Sequence, residues 1–382
     1  MSELPAASGL AYPPGRVVAR KTHAYFARQQ EDLRDAGGEP ASSVPSADVI
    51  EAVIGAAFWT SLRREEGYIP RVSLAILEPE QARQPLVFES PLPLTPSSLA
   101  KVSPAVVRPG LHIAVWRFHD RLCAWGTIRS IPIACCVIEV VAPGLLVIKH
   151  RPREQSRKFV NIAVLEGEQV KVIDRQASAA PHCPPLVSSL LGSGSMPLDS
   201  FDLLVELAVS MRAHGRGGTL LVVPGDGDPW RESIVHPIPY AVAPRFAELS
   251  ALMRGQHEPH DRPWEAKLGD AVELVAGLTA VDGATLITDQ YELIAFGAKI
   301  ARRDGHARVD EVTITEPIED MVPVVVHPTQ LGGTRHLSAV QFVKDQRNAL
   351  ALVASQDGRL TVVSRPSRES MVHAHRVEAL LL

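Results

Sequence analysis

Short apolar runs, broken by proline, glycine and charged residues, dominate the chain, and their period changes along it. Val17 to Leu33 predicts a charged helix, and Asp35 to Ser46 a connector rich in Gly, Pro and Ser. Ile50, Ile54, Phe58 and Leu62 recur every four residues, the spacing of a helical face packed on a sheet. Asp48, with Glu51 three residues on, predicts the cap of that helix, and Gly67 after Arg63-Arg64-Glu65-Glu66 its stop. Arg71 to Leu77 begins a strand, and the proline-punctuated stretch from Pro85 to Leu99 predicts an edge strand that turns into a short helix. His112 to Trp116, Leu122 to Ile128, Cys136 to Val141 and Leu145 to Ile148 predict a small antiparallel meander.

The pattern resets after Arg175 to Pro197, a low-complexity connector of Ala, Pro, Ser and Gly. Asp199 is placed to cap an apolar helix from Phe201 to Ala213, and Thr219 to Val223 is a buried strand. Helices are expected over Pro244 to Met253 and Trp264 to Leu278. Two β-branched runs, from Val281 and from Tyr291, meet at Asp289-Gln290 and predict a hairpin. Gly332-Gly333 then leads into a helix, followed by an apolar strand from Ala349 to Ser355. The class expected is α/β: a mixed sheet flanked by helices over residues 198–382, preceded by an N-terminal α/β, strand-rich region over 41–175. Residues 1–40 read as a flexible segment and 176–197 as a linker, unless both regions share one continuous sheet.

Composition narrows the reading. With 46% hydrophobic and 21% charged residues the chain suits a soluble globular protein, and 382 residues allow two to three domains. A net charge of −4 neither demands nor excludes an anionic partner, so phosphate binding must come from a local site. No run approaches the apolar length of a membrane span, and no signal core opens the sequence. The four cysteines lack metal-ligand spacing, so buried reduced thiols in a cytoplasmic protein are the simplest expectation. Lys149-His150-Arg151-Pro152-Arg153, with Arg157-Lys158, is a basic run that reads as a solvated hairpin tip; without interleaved aromatics it predicts no nucleic-acid polymer as partner. The loop Gly225-Asp226-Gly227-Asp228 lacks the spaced ligands of a calcium loop. His257, His260 and Asp261 need further ligands and a rigid frame before they hold zinc.

The candidate chemistry lies near the C-terminal end. Gly333-Thr334-Arg335-His336 opens a helix, where free backbone N–H groups and the helix dipole attract anions. Thr334 adds a hydroxyl, Arg335 a planar fork of donors and His336 a further ring donor, together a polyphosphate cradle. Asp282, ahead of a buried strand, is placed to hold a divalent cation nearby.

The order of Asp282-Gly283-Ala284, a hairpin, Gly333-Thr334-Arg335-His336, a helix and a strand ending at Ser355 resembles the diadenylate cyclase (DAC) superfamily. The resemblance implies that Asp282 binds metal and activates a ribose hydroxyl, with Gly283 and Ala284 in the same nucleotide-binding motif. It also implies that Gly333, Thr334, Arg335 and His336 hold ATP phosphates, with Ser355 near a further contact, and that the cofactor is Mg²⁺ or Mn²⁺. The chain departs from that pattern at Leu337, where the family has a second arginine, and at Gln356, where an acid often stands. The two motifs also stand unusually far apart, which points to an insertion around residues 301–328. These departures are more similar to a divergent branch described as a probable sensor domain, DACNV. Three functions follow as expectations: a diadenylate cyclase that joins two ATP into cyclic di-AMP as a face-to-face homodimer, a catalytically inactive nucleotide or second-messenger sensor, or a partner-binding protein whose pocket has decayed.

Overall fold

Each half of the chain builds its own mixed β-sheet, with helices supplying the apolar faces that cover it. A computed structural model describes residues 11–35, 42–108, 110–152, 159–180, 182–191, 203–255, 262–366 and 369–382. The chain divides into two compact units, residues 1–173 with Leu382, and residues 174–381.

The N-terminal unit contains helices α1 (Pro13–Asp35), α2 (Ala47–Ser61) and α3 (Pro96–Val102). Its strands are β1 (Ser73–Ile76), β2 (Leu86–Pro93), β3 (His112–Phe118), β4 (Arg121–Ile128), β5 (Cys136–Ala142), β6 (Leu145–His150), β7 (Val160–Glu166) and β8 (Gln169–Val172). They form one sheet in the order β2-β4-β3-β1-β5-β6-β7-β8. The expected meander is therefore part of a larger sheet in which β1 runs parallel to β3 and antiparallel to β5. Residues from α1 and α2, including Phe26, Ile50 and Ile54, pack with Leu74, Ile113 and Ile138 in one core. A second core joins Leu77, Trp125 and Val137, and the Trp125 indole donates to the Leu77 carbonyl at 2.9 Å. Cys136 belongs to the first core and Cys135 to the second. Burial pushes the Cys135 thiol up to about 12, so it is inert at neutral pH. Ser46, not Asp48, caps α2: its hydroxyl accepts from the Val49 N–H, and Asp48 lies within the first turn. His150, expected on a solvated tip, is buried and hydrogen-bonded to the Tyr25 hydroxyl at 2.7 Å. Arg153, Arg157 and Lys158 lie outside the described residues.

The C-terminal unit holds α4 (Pro185–Leu190), α5 (Leu203–Ala213), α6 (Glu248–Arg254), α7 (Arg262–Leu278) and α8 (Thr334–Asp345). Its strands are β9 (Gly218–Val223), β10 (Tyr240–Phe246), β11 (Ala284–Thr288), β12 (Leu293–Ala298), β13 (Val312–Thr315), β14 (Val324–Val326), β15 (Leu350–Ala354), β16 (Leu360–Ser364) and β17 (His373–Arg376). The sheet order is β10-β12-β11-β9-β15-β16-β17-β13-β14. β9 and β11 are parallel neighbours buried on both faces, which explains their unbroken apolar runs. Val340, Phe342 and Val343 of α8 share a core with Leu221, Leu286 and Val353. α5 and α7 pack on one another and reach β15 and β12 respectively.

Several local expectations change here. Tyr240–Phe246, in part expected to be helical from Pro244, is an edge strand, and the helix starts at Glu248. Edge placement leaves the ladder intact, because proline has no N–H to donate. Within 176–197, read as linker, Pro185–Leu190 is helical. The insertion at 301–328 contributes β13 and β14. His257, His260 and Asp261, the proposed cap Asp199, and Phe201 lie outside the described residues. Among the described residues no helix is long and apolar enough to cross a membrane.

The two sheets correspond position by position. From β2 to β7 and from β10 to β17, seven strands follow the same order. In each unit the one parallel contact within this run joins the first strand to the strand that carries the central hairpin onward, β1 to β3 and β9 to β11. The other contacts are antiparallel.

Candidate functional site

In the C-terminal unit the ladder registers bring the predicted residues to one end of the sheet. Ala284, which opens β11, pairs with Thr219 of β9 and Ala298 of β12, while Ala354, which closes β15, pairs with Gly218. Asp282-Gly283, Gly217, Lys299 and Ser355 therefore share that end.

Two glycines here are dictated by space. Gly283 has φ +114°, and a Cβ on it would lie 2.4 Å from the carbonyl carbon of Gly297. No side chain fits, so β11 and β12 cross closely and hold Asp282 at the rim. Gly217 has φ +68°, and a Cβ there would lie 2.7 Å from Nη1 of Arg335 and 3.1 Å from the Ala354 carbonyl oxygen. The Arg335 guanidinium thus lies against bare backbone beside the end of β15. Gly217 carried no signal in the sequence beyond its place in a glycine-rich turn.

Asp282 is 91% exposed at its side chain and forms an ion pair with Lys299. The Lys299 hydrogen bond and charge hold its carboxyl below the ordinary value, and Arg335 adds a smaller pull in the same direction. Lys299 was missed in the sequence, although it closes the hairpin that Asp282 opens. Gly333 is the N-cap of α8, with no side-chain cap, and accepts from the His336 N–H at 3.0 Å. Thr334 is exposed in the first turn and Arg335 is half-buried. His336 is buried: a Cβ on Gly332 would meet its Nδ1 at 2.6 Å, and its Nε2 is 3.4 Å from the Thr361 hydroxyl. Burial, then the Arg376 charge, push the His336 imidazole down, so it is neutral at pH 7.

Ser355 donates its hydroxyl to Asp357, and this bond is the main cause of the lowered Asp357 carboxyl. Tyr240 adds a surface that the sequence did not announce. Its ring stacks on Phe296 with centroids 4.8 Å apart, stays half-exposed, and lies where a Cβ on Gly297 would come within 2.7 Å. The end of the sheet thus carries the Arg335 guanidinium, the Lys299–Asp282 pair, bare glycine backbone and an exposed aromatic ring. Phosphate suits the first and third, and a planar base suits the last. A divalent ion would find the exposed carboxylate of Asp282, a hard oxygen donor that suits Mg²⁺ or Mn²⁺ once Lys299 is displaced.

No curated protein matches the chain. A solved structure described as a hypothetical membrane spanning protein from Bacillus cereus is similar over 49% of this chain and 68% of its own, at 14% identity and a TM-score of 0.27. A likeness at that level assigns neither fold nor function. The family match falls away from the motifs just described, in the N-terminal unit: residues 39–129 match the model of the family described as "Probable sensor domain DACNV".

Proposed function

We infer that the C-terminal unit is a DAC-like nucleotide-binding module and that the protein works as a sensor of ATP or a related nucleotide. The observation that carries this reading is the seat of Arg335, on the bare backbone of Gly217 and within electrostatic reach of Asp282. Arg335 and the first-turn amides of α8 hold phosphate, with Gly333 and Thr334 at the turn and Ser355 at the neighbouring strand end. Gly283 and Ala284 fix the strand that carries Asp282, and Tyr240 offers its exposed ring to the base. Asp282 would be the residue that holds Mg²⁺ or Mn²⁺ beside bound phosphate, in exchange for its pairing with Lys299. The sensor reading draws on the Lys299 pairing, on the buried neutral state of His336 and on the match of residues 39–129 to a probable sensor domain.

The test is calorimetry with ATP. Arg335→Ala should weaken binding by about 1.5–3 kcal/mol, the scale of a charge-assisted hydrogen bond. Unchanged affinity would remove the phosphate cradle. The exposure of Asp282 keeps the cyclase as a second reading, in which two copies face one another so that each activated hydroxyl meets the other's α-phosphate. Incubation with ATP and Mn²⁺ should then yield cyclic di-AMP by mass spectrometry, with activity rising faster than enzyme concentration. Nucleotide binding without product at any concentration leaves the sensor.

A further inference from the structure

We propose that the N-terminal unit carries its own anion site, a cleft for a small phosphorylated molecule of nucleotide size. The cleft encloses about 520 Å³ and lies where β1 and β3 begin, against the second half of β5. That volume falls in the range of small-molecule pockets, roughly 300–1,000 Å³.

Its charge is one-sided. Arg71, Arg108, Arg129, Lys149 and Arg151 line it, and the acid on its wall, Glu139, is already paired with Lys149. Among the described residues, the side chains of Arg71, Arg108 and Arg129 make no ion pair, and all three are exposed. Three neighbouring guanidiniums, Arg71, Arg108 and Arg129, repel one another in the cleft, and an anion relieves that repulsion. The floor records the same field. His112 is buried, bonded through Nδ1 to the Ser73 hydroxyl at 2.7 Å, and pushed down to about 4 by burial and then by Lys149 and Arg151. Phe159 supplies an apolar wall, with the Lys149 ammonium 4.9 Å from its ring centroid.

The position is the second argument. Aligning the ladders at their first pairs, His112 with Ile128 and Ala284 with Ala298, puts Arg129 in the place of Lys299 and Gly110 in the place of Asp282. The cleft therefore occupies the end of its sheet that holds Arg335 and Asp282 in the C-terminal unit, and it does so without a carboxylate at the Asp282 position. Arg71, Ser73, Arg108, His112 and Arg129 all fall within the stretch that matches the sensor-domain model.

Full-length protein carrying Arg335→Ala isolates the cleft from the C-terminal site. Calorimetry with pyrophosphate and with ATP should give one binding event in that protein. Adding Arg108→Ala and Arg129→Ala, both at exposed positions, should weaken it at least about tenfold with an unchanged melting temperature. Arg129→Gln alone, which keeps most of the side-chain bulk, should weaken it less but measurably. Pyrophosphate should also move the His112 titration midpoint, followed by NMR, upward from about 4. The proposal falls if the Arg335→Ala protein binds neither probe, or if the arginine variants bind both unchanged. It falls too if the cleft takes a single-stranded oligonucleotide that neither probe displaces. Failure of the C-terminal reading looks different: the Arg335→Ala protein would then match the parent in every binding event.

Discussion

The two units share a sheet order and differ in what joins β4 to β5 and β12 to β15. In the N-terminal unit residues 129–135 make that connection directly; in the C-terminal unit residues 299–349 carry β13, β14 and α8 before the chain returns. The helix that presents Arg335 exists in one unit only. The same end of each sheet collects positive charge by different means. One unit uses bare glycine backbone and a helix-borne arginine, the other uses arginines from strand ends and connecting turns. A shared topology therefore fixes where charge can gather but not which residues supply it.

The largest expected effect breaks the comparison at Gly283. Its Cβ would collide with the Gly297 carbonyl carbon at 2.4 Å while the backbone holds φ +114°. Gly283→Ala should cost about 4 kcal/mol, because overpacking against backbone and an unfavourable φ add together. The corresponding position in the N-terminal unit is Leu111, which carries a side chain, so Leu111→Ala should cost about 1 kcal/mol. Hydrogen exchange resolves the two units separately, and a comparable loss of protection in β3 and β11 would refute this contrast.

How much of this was legible follows the range of the interactions. Strands β3 to β6, the hairpin of β11 and β12, and the start of α8 after Gly333 were readable, because alternation and turn chemistry are local. Strand β10 was not: it is a short edge strand whose register shifts between Ala241 and Phe246, and Pro244 imitates a helix start. The Asp282–Lys299 pair required counting across a hairpin that contains register shifts on both sides of Leu286, and a slip of one residue reverses the face. The common sheet order was beyond reach, since it rests on the parallel pairings of β1 with β3 and β9 with β11, which no local pattern specifies. The cationic cleft was hidden for a related reason. Arg71, Arg108 and Arg129 are scattered in sequence, and Lys149 looked like part of an exposed basic run.

Acid should strain both units by similar amounts through different histidines. His112 is held near 4 by burial and by Lys149 and Arg151; His375 is held near 3 by burial and then by His373 and His182. Each folded value lies below the unfolded value of about 6.5, so the unfolded chain takes up the proton first. The stabilisation is complete above about pH 6.5 and is lost as pH falls toward the folded values. By pH 4 the loss amounts to about 3 kcal/mol per histidine. Hydrogen exchange at pH 7 and pH 4.5 should show both sheets loosening. His112→Gln should flatten the pH response of the N-terminal unit alone. An unchanged slope in that variant would remove His112 as the cause.

The smallest effect on stability, and the sharpest on chemistry, belongs to Asp282→Asn. The Asp282 carboxyl is depressed mainly by Lys299, so their pairing contributes stability above the unfolded value of about 3.9 and loses it as pH falls through the lower folded value. Both side chains are exposed, so the melting temperatures of parent and variant should differ little at pH 7 and coincide once the carboxyl is protonated. Binding should respond more clearly. Without divalent metal, the variant loses a carboxylate that repels phosphate and frees the Lys299 ammonium, so ATP should bind about threefold more tightly. With Mg²⁺ or Mn²⁺ present, that gain should disappear, because the parent can bridge metal and phosphate through Asp282 and the variant cannot. The N-terminal cleft has Gly110 at the corresponding position, and its binding of pyrophosphate should be indifferent to divalent metal in both proteins. Calorimetry with and without EDTA separates the sites. Metal-dependent binding in the cleft, or weaker metal-free ATP binding by Asp282→Asn, would break the contrast between a carboxylate-gated site and one with no carboxylate at that position.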